Sequence, residues 1–194
     1  TGGAGGIGQA IAARLLSEGA GVVLADIDGK SLEEVVHGFG TTYGRDNVRG
    51  LVVDVTSEAA VERSFADAVL AFGGIDILVS NAGFASAAAV EDTSLELWNR
   101  NMALMATGYF LVARAAFRLM KAQKQGGAIV FIASKNGLAA SPGASAYCMA
   151  KAAEIHLARC LALEGAAHGI RVNTVNPDAV LRGSKIWQGE WRAQ

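Results

Sequence analysis

Two prolines and two cysteines are all that 194 residues contain, and only 18% of the chain is charged. So little proline leaves long helices and strands uninterrupted. The turns fall instead to 24 glycines. Cys148 and Cys160 lie 12 positions apart in one helical stretch, about 18 Å at 1.5 Å per residue. That separation excludes a disulfide between them. With no ligand-like neighbours, they exclude a disulfide scaffold and a zinc centre, and no other metal site is expected. They read as reduced core thiols of a cytoplasmic chain. A net charge of -1 leaves no basic surface for nucleic acid or an anionic membrane. His37, His156 and His168 show no ligand spacing. No secretory leader is visible, and uncharged segments such as "NMALMATGYFLVA" end short of a membrane span.

What is present is apolar: 52% of residues are hydrophobic. That favours strands buried on both faces. Helical and strand-like stretches alternate. "IGQAIAARLLSEGA" puts Ile7, Ile11, Leu15 and Leu16 on one helical face. Short apolar runs, "GVVLAD", "VRGLVVDV", "DILVS", "GAIVFIAS" and "IRVNTVNP", read as strands. Between them run "SLEEVVHGF", "SEAAVERSFADAVLAFGG", "LELWNRNMALMATGYFLVARAAFRLMKAQ" and a helix from about 144 to 168, closed by Gly169. Ser31 with Glu34, and Thr93 with Glu96, have capping-box spacing. Alternation of this kind predicts parallel strands joined by right-handed crossovers: a three-layer α/β, doubly wound, Rossmann-like fold. With no linker or composition shift, residues 1–194 read as one dinucleotide-binding domain.

The opening "TGGAGGIG" has the spacing T-G-x-x-x-G-x-G, with Thr1, Gly2, Gly6 and Gly8 at its fixed positions. Such a loop lets backbone N–H groups approach a pyrophosphate at a helix N-terminus. A side chain at Gly6 would crowd the phosphates, and one at Gly8 would push the helix off the sheet. The next strand ends in Asp26, 18 positions after Gly8. An acid there accepts ribose hydroxyls and repels a 2′-phosphate. With no basic residue in the loop, NAD is the expected cofactor.

"YCMAK" sets Tyr147 and Lys151 at i and i+4 on a helix, sharing a face. Ser134 ends the strand "AIVFIAS", at the strand end where open parallel sheets build their sites. A free phenol has a pKa of roughly 10 and is a poor base at neutral pH. A neighbouring ammonium favours the phenolate. Lowering the pKa by about 3 units takes roughly 4 kcal/mol, much of which one partly desolvated charge can supply. Ser134 would hold the substrate oxygen.

Together, "TGGAGGIG", Asp26, "DV" at 54–55, "NAG" at 81–83, Ser134, "YCMAK" and "IRVNTVNP" resemble the classical short-chain dehydrogenase/reductase family, nearly end to end. The resemblance implies that Thr1, Gly2, Gly6, Ile7 and Gly8 cradle the cofactor and that Asp26 binds ribose. Asp54 and Val55 would flank adenine. Asn81, Ala82, Gly83 and Pro177 would shape the cleft. Tyr147 would be the acid/base, Lys151 its partner on the nicotinamide ribose, and Ser134 the substrate anchor. It also implies a homo-oligomer built through the long helix and the Tyr147 helix. In that family a relay asparagine lies where this chain has Met105; Asn101, one turn earlier, is a candidate substitute, or else an ordinary helix-surface polar residue. Asp178 replaces a usual glycine, and Arg182 stands near a usual threonine.

These departures, with "ASKNGL", "HLARCLALEG", "NPDAVL" and "GSKIWQGEW", resemble the dehydrogenase half of bifunctional rhamnulose-1-phosphate aldolase/short-chain dehydrogenases. That resemblance implies oxidation of L-lactaldehyde to lactate with NAD and an upstream aldolase domain. Lys135, Asp178 and Arg182 become candidate substrate contacts, while Trp187 and Trp191 would line a pocket or an interface. Alternatives are an NADPH-dependent ketone or ketoacyl reductase and a non-catalytic nucleotide-binding scaffold. Because the glycine loop begins at residue 1, the chain reads as a fragment lacking a first strand and a C-terminal end.

Overall fold

The structure is a computed structural model and describes residues 1–180. In chain order it contains α1 (Gly6–Ser17), β1 (Val22–Asp26), α2 (Gly29–Tyr43), β2 (Val48–Val52), α3 (Glu58–Phe72) and β3 (Ile77–Ser80). There follow α4 (Leu95–Asn101), α5 (Gly108–Gln123), β4 (Gly127–Ile132), α6 (Ser145–Gly165) and β5 (Ile170–Val175). Every strand pairing is parallel: β1 with β2, and β4 between β3 and β5. This is the expected α/β Rossmann-like arrangement.

The strands form two sheets, ordered β1-β2 and β3-β4-β5. Between them lies a cavity of about 710 Å³, lined by Val23 and Leu24 of one sheet, Leu78 and Val79 of the other, and Phe65 and Val112 from the helices. At one end the first residues join the sheets. The Thr1 amino group donates to the Val79 carbonyl at 2.8 Å, and the Gly3 N–H donates to the Ala25 carbonyl at 3.0 Å.

Each sheet has its own core. Ala12, Leu16, Val22, Leu24, Leu32 and Val48 pack α1 and α2 onto β1 and β2. Around β4, Ile129 and Phe131 meet Tyr109, Val112, Ala116 and Met120 of α5, Ala158 of α6, and Ile170 and Val172 of β5. Full burial of a side chain the size of Ile129 or Phe131 contributes about 1.5–3 kcal/mol, so this cluster fixes where the end of β4 lies.

Several boundaries differ from the sequence expectation. Helix α2 is capped by Asp28, whose carboxylate accepts both the N–H and the hydroxyl of Ser31. Ser31 is therefore the recipient of a cap formed by a stronger acceptor. At α4 the cap is Ser94, which accepts the Leu97 N–H at 3.1 Å; the Thr93 hydroxyl donates instead to the Ala89 carbonyl. Ser57 caps α3 and Gly73 closes it. Helix α6 ends at Gly165 and tightens into a turn over Ala166–His168 before Gly169. Cys160 is exposed rather than a core thiol.

The long helix is not uniform. Residues Met102–Thr107 form a π-helical turn between α4 and α5, a distortion that needs a local compensation and is common at functional sites. The run Leu95–Gln123 is 29 residues long and holds an 18-residue window of mean hydropathy 1.3, enough by length and composition alone to cross a membrane. It is not one of the uncharged segments, since it carries Glu96, Arg100, Arg114, Arg118 and Lys121. Here Tyr109, Val112, Ala113, Ala116 and Met120 of this run are buried within the core.

Candidate active site

The N-terminal loop is held by β1 and β3. The Thr1 hydroxyl oxygen accepts the N–H groups of Asn81 and Ala82 at 2.9 and 3.0 Å. The Asn81 amide donates to the Thr1 and Gly2 carbonyls at 3.0 and 3.2 Å. Thr1 and the "NAG" segment are thus one hydrogen-bonded unit. In α1 the Gln9 N–H is bonded to the Gly5 carbonyl. The amides of Gly6, Ile7 and Gly8 belong to the first turn and have no partner within the helix. Gly5 supplies no side-chain cap. A Cβ on Gly8 would overlap the carbonyl oxygen of Gly2. Gly8 is therefore required by the loop's own turn, not by helix-to-sheet packing as its spacing alone implied.

Asp26 lies at the carboxyl end of β1. Its Oδ2 accepts the Ala4 N–H at 2.9 Å and its Oδ1 accepts the Asp28 N–H at 3.0 Å. A carboxylate has about four acceptor sites, so it ties the loop to the strand and retains lone pairs for ribose hydroxyls. First-turn amides, a loop closed against any Cβ at Gly8, and this acid together fit a dinucleotide. Of the pair after β2, Val55 is buried in the core, while Asp54 is exposed and accepts the Thr56 N–H and hydroxyl. Only Asp54 of the two presents a side chain outside the core.

The second half of the site is built on β4 and α6. Ser134 follows β4, and its Oγ accepts the Asn136 N–H at 3.2 Å. The turn Lys135–Gly137 then runs against α6 so closely that a Cβ on Gly137 would lie 2.6 Å from the Lys151 carbonyl oxygen. The loop after β3 is tied to the loop before α6 by the Ala88 N–H on the Gly143 carbonyl at 2.8 Å. Between these supports sit Ser134, Tyr147 and Lys151. Lys151 is 4% exposed, and its Nζ lies 5.8 Å from the centre of the Tyr147 ring. Nζ also borders Gly83, where a Cβ would be 3.7 Å away. The three side chains and the "NAG" segment therefore meet in one place.

Burial pushes the Tyr147 phenol above its usual range; a hydrogen bond with Ser134 pulls it back, and the charges of Glu154 and Cys148 push it up further. Burial likewise lowers the Lys151 ammonium. The expectation of a Tyr147 phenol lowered by Lys151 is thus corrected: burial raises it first, and a residue that sequence reasoning missed adds to the rise. Glu154 is 0% exposed and accepts from Lys151 Nζ at 2.9 and 3.1 Å. Burial pushes its carboxyl up to about 8, against the charge of Lys151. The missed signal was spacing: Tyr147, Lys151 and Glu154 stand at i, i+4 and i+7, one helical face.

Met105 is fully buried, and Gly83 lies against it. Asn101 is 0% exposed, which corrects its reading as a helix-surface residue. Its Oδ1 accepts the Ser86 hydroxyl at 3.0 Å and its Nδ2 donates to the Leu97 carbonyl at 2.8 Å. Those bonds commit it to the β3 loop and its own helix rather than to Lys151. Lys135 and Asp178 pair with each other at 2.7 Å and are both largely exposed. The Lys135 N–H donates to the Pro177 carbonyl at 3.0 Å. Arg182, Trp187 and Trp191 lie outside the described residues. Among the described residues no group of His, Cys, Asp and Glu is arranged to hold a metal ion.

Residues 1–192 match the family described as short chain dehydrogenase, and the chain belongs to it. As a member it is an oxidoreductase of the short-chain type, a class that acts on CH–OH groups and uses NAD(P). It is 50% identical over 194 residues to the uncharacterized oxidoreductase YuxG of Bacillus subtilis, covering all of this chain and 28% of that protein. It is 36% identical over 192 residues to an NAD-dependent glycerol dehydrogenase of Listeria innocua, covering 98% of this chain and 73% of that one. The crystal structure of sorbitol-6-phosphate 2-dehydrogenase SrlD from Erwinia amylovora superposes with a TM-score of 0.93 at 30% identity, over 96% of this chain and 73% of that one. The chain thus spans well under two thirds of the Bacillus relative's length.

Proposed function

We propose that this chain is the NAD-dependent dehydrogenase unit of a protein that oxidises a small hydroxylated substrate, with hydrated L-lactaldehyde giving lactate as the specific reaction. The observation that carries the proposal is the convergence of Ser134, Tyr147 and Lys151 beside the "NAG" segment. In support, the relatives include an NAD-dependent dehydrogenase of a small polyol. The aldolase partner domain belongs to the same proposal. So do a cytoplasmic location, a single domain over 1–194, and a homo-oligomer through α5 and α6, where Phe110 and Leu163 are exposed.

Bound NAD supplies the hydride acceptor. Ser134 Oγ accepts the Asn136 N–H and its hydroxyl is hydrogen-bonded to Tyr147, so a substrate oxygen entering between the two would take over that hydrogen. The Tyr147 phenolate takes the hydroxyl proton of the gem-diol as the carbon-bound hydrogen departs with its electron pair. The carbon is left at the oxidation level of a carboxylic acid. Lys151 stabilises the phenolate. Asp26 selects the cofactor, because a 2′-phosphate would face its carboxylate. The Lys135–Asp178 pair lies at the end of β5, where a small polar substrate can exchange partners with it.

The test is NADH formation by the full-length protein from L-lactaldehyde, glycerol and D-threitol in parallel. L-lactaldehyde is expected to have the highest kcat/KM; a preference for either polyol contradicts the assignment. Asp178→Ala is expected to lower kcat/KM for lactaldehyde about tenfold, equal to roughly 1.4 kcal/mol of transition-state contact. An unchanged value removes Asp178 from the substrate site.

A further inference from the structure

We propose that Glu154 is a positioning residue: it clamps the Lys151 ammonium in place of a group from the long helix and sets how strongly that charge acts on Tyr147. The inference rests on the reading of Tyr147 and Lys151 as the acid/base pair, and it adds a residue to that site.

The geometry is specific. An ammonium has three hydrogens and no acceptor. At Lys151 the available partners are Glu154 Oε1 at 2.9 Å, Glu154 Oε2 at 3.1 Å and the Ile132 carbonyl at 3.1 Å. Partners on α6 and β4 therefore fix Nζ from two sides. Among the described residues the long helix offers Nζ no hydrogen-bond acceptor: it brings Met105, whose thioether borders Gly83 as Nζ does, and the Tyr109 ring, 5.4 Å from Nζ. A carboxylate with no solvent exposure is costly unless it is paired and hydrogen-bonded. Among the described residues, Glu154 meets that condition only through Lys151. Removing either partner leaves the other exposed to the full cost.

The same contact governs the phenol. A lone ammonium beside Tyr147 favours the phenolate, whereas an ammonium in contact with a carboxylate acts as a weak dipole. Groups facing Glu154 come from two helices. Lys151 and Tyr147 are on α6, and Tyr109 of α5 donates its hydroxyl to the Ile132 carbonyl and has its ring 5.4 Å from Nζ. Burial first, and then the Glu154 charge, push the Tyr109 phenol up. The order of ionisation follows: Glu154, at about 8, loses its proton before Tyr147, which is raised above the ordinary phenol. Tyr147 must then ionise beside a carboxylate. Taking that charge away makes the phenol more acidic, so the limb along which oxidation rises with pH moves to lower pH.

The experiment uses the full-length protein and follows the pH profile of kcat/KM for alcohol oxidation. Glu154→Gln keeps an acceptor for Lys151 and removes the charge. The expected result is a rising limb displaced downward by about one pH unit, with the KM for NAD close to that of the wild type and a lower thermal midpoint, because the buried ammonium keeps an acceptor but loses its counter-charge. A profile that superimposes on the wild type overturns the proposal. If Glu154→Gln does not fold, Glu154→Asp decides. It keeps the charge but withdraws it by one methylene, and the expected result is a several-fold higher KM for NAD as Lys151 loses its place. A wild-type KM in that variant overturns the proposal. Tyr147→Phe is measured alongside: turnover retained there removes the acid/base reading itself, whichever way the Glu154 variants behave.

Discussion

Replacing Tyr147 with Phe is expected to lower kcat for alcohol oxidation by about 100- to 10,000-fold, the usual worth of a positioned acid/base. The ring stays, so its packing on α6 stays. Only the hydroxyl is lost, along with its hydrogen bond to Ser134. Such a bond contributes about 1 kcal/mol to stability, so the thermal midpoint should move by a few degrees at most. The combination matters: a folded protein that binds NAD and fails to turn over assigns the phenol to proton transfer. Turnover within a factor of two of the wild type would remove Tyr147 from the chemistry. Ser134 and Lys151 would then have to be regarded as structural neighbours.

Gly8→Ala is expected to act on the cofactor rather than on the chemistry. The added methyl would overlap the Gly2 carbonyl oxygen, and Gly3 Cα would be 3.0 Å away. Both atoms are backbone and cannot swing aside as a side chain could. The loop must open or α1 must shift, at a cost of about 1–3 kcal/mol. Either movement displaces the first-turn amides of Gly6, Ile7 and Gly8. The expected result is an NAD affinity lowered at least tenfold, with kcat at saturating NAD far less affected. Equilibrium binding by calorimetry or fluorescence checks it. An affinity equal to that of the wild type would mean that the first turn of α1 does not touch the cofactor.

The alternation of helices and parallel strands was legible because apolar runs of strand length alternate with helical periodicity. The glycine loop, Asp26 and the Ser134–Tyr147–Lys151 trio were legible from spacing. Capping was misplaced where two acceptors stood within reach of the same first turn. Asp28 outcompetes Ser31 because a carboxylate is the stronger acceptor, and Thr93 is already engaged with Ala89. The π-helical turn at 102–107 leaves no mark in a periodicity of apolar residues. Burial of individual polar side chains was also hidden. Asn101 reads as surface until Ser86 is folded over it. Lys135 and Asp178, 43 positions apart, become partners only because β4 and β5 end side by side. Glu154 looked like an ordinary helix glutamate; its face was legible, but its pairing with Lys151 required the packed helix.

The most direct test of the central claim, an NAD-dependent dehydrogenase, is hydride transfer by the full-length protein from L-lactaldehyde to NAD and to NADP, compared by kcat/KM. Asp26 at the end of β1 predicts a preference for NAD of at least about 100-fold, or roughly 2.8 kcal/mol. Equal use of the two cofactors, a preference for NADP, or no reduction of either would contradict the account.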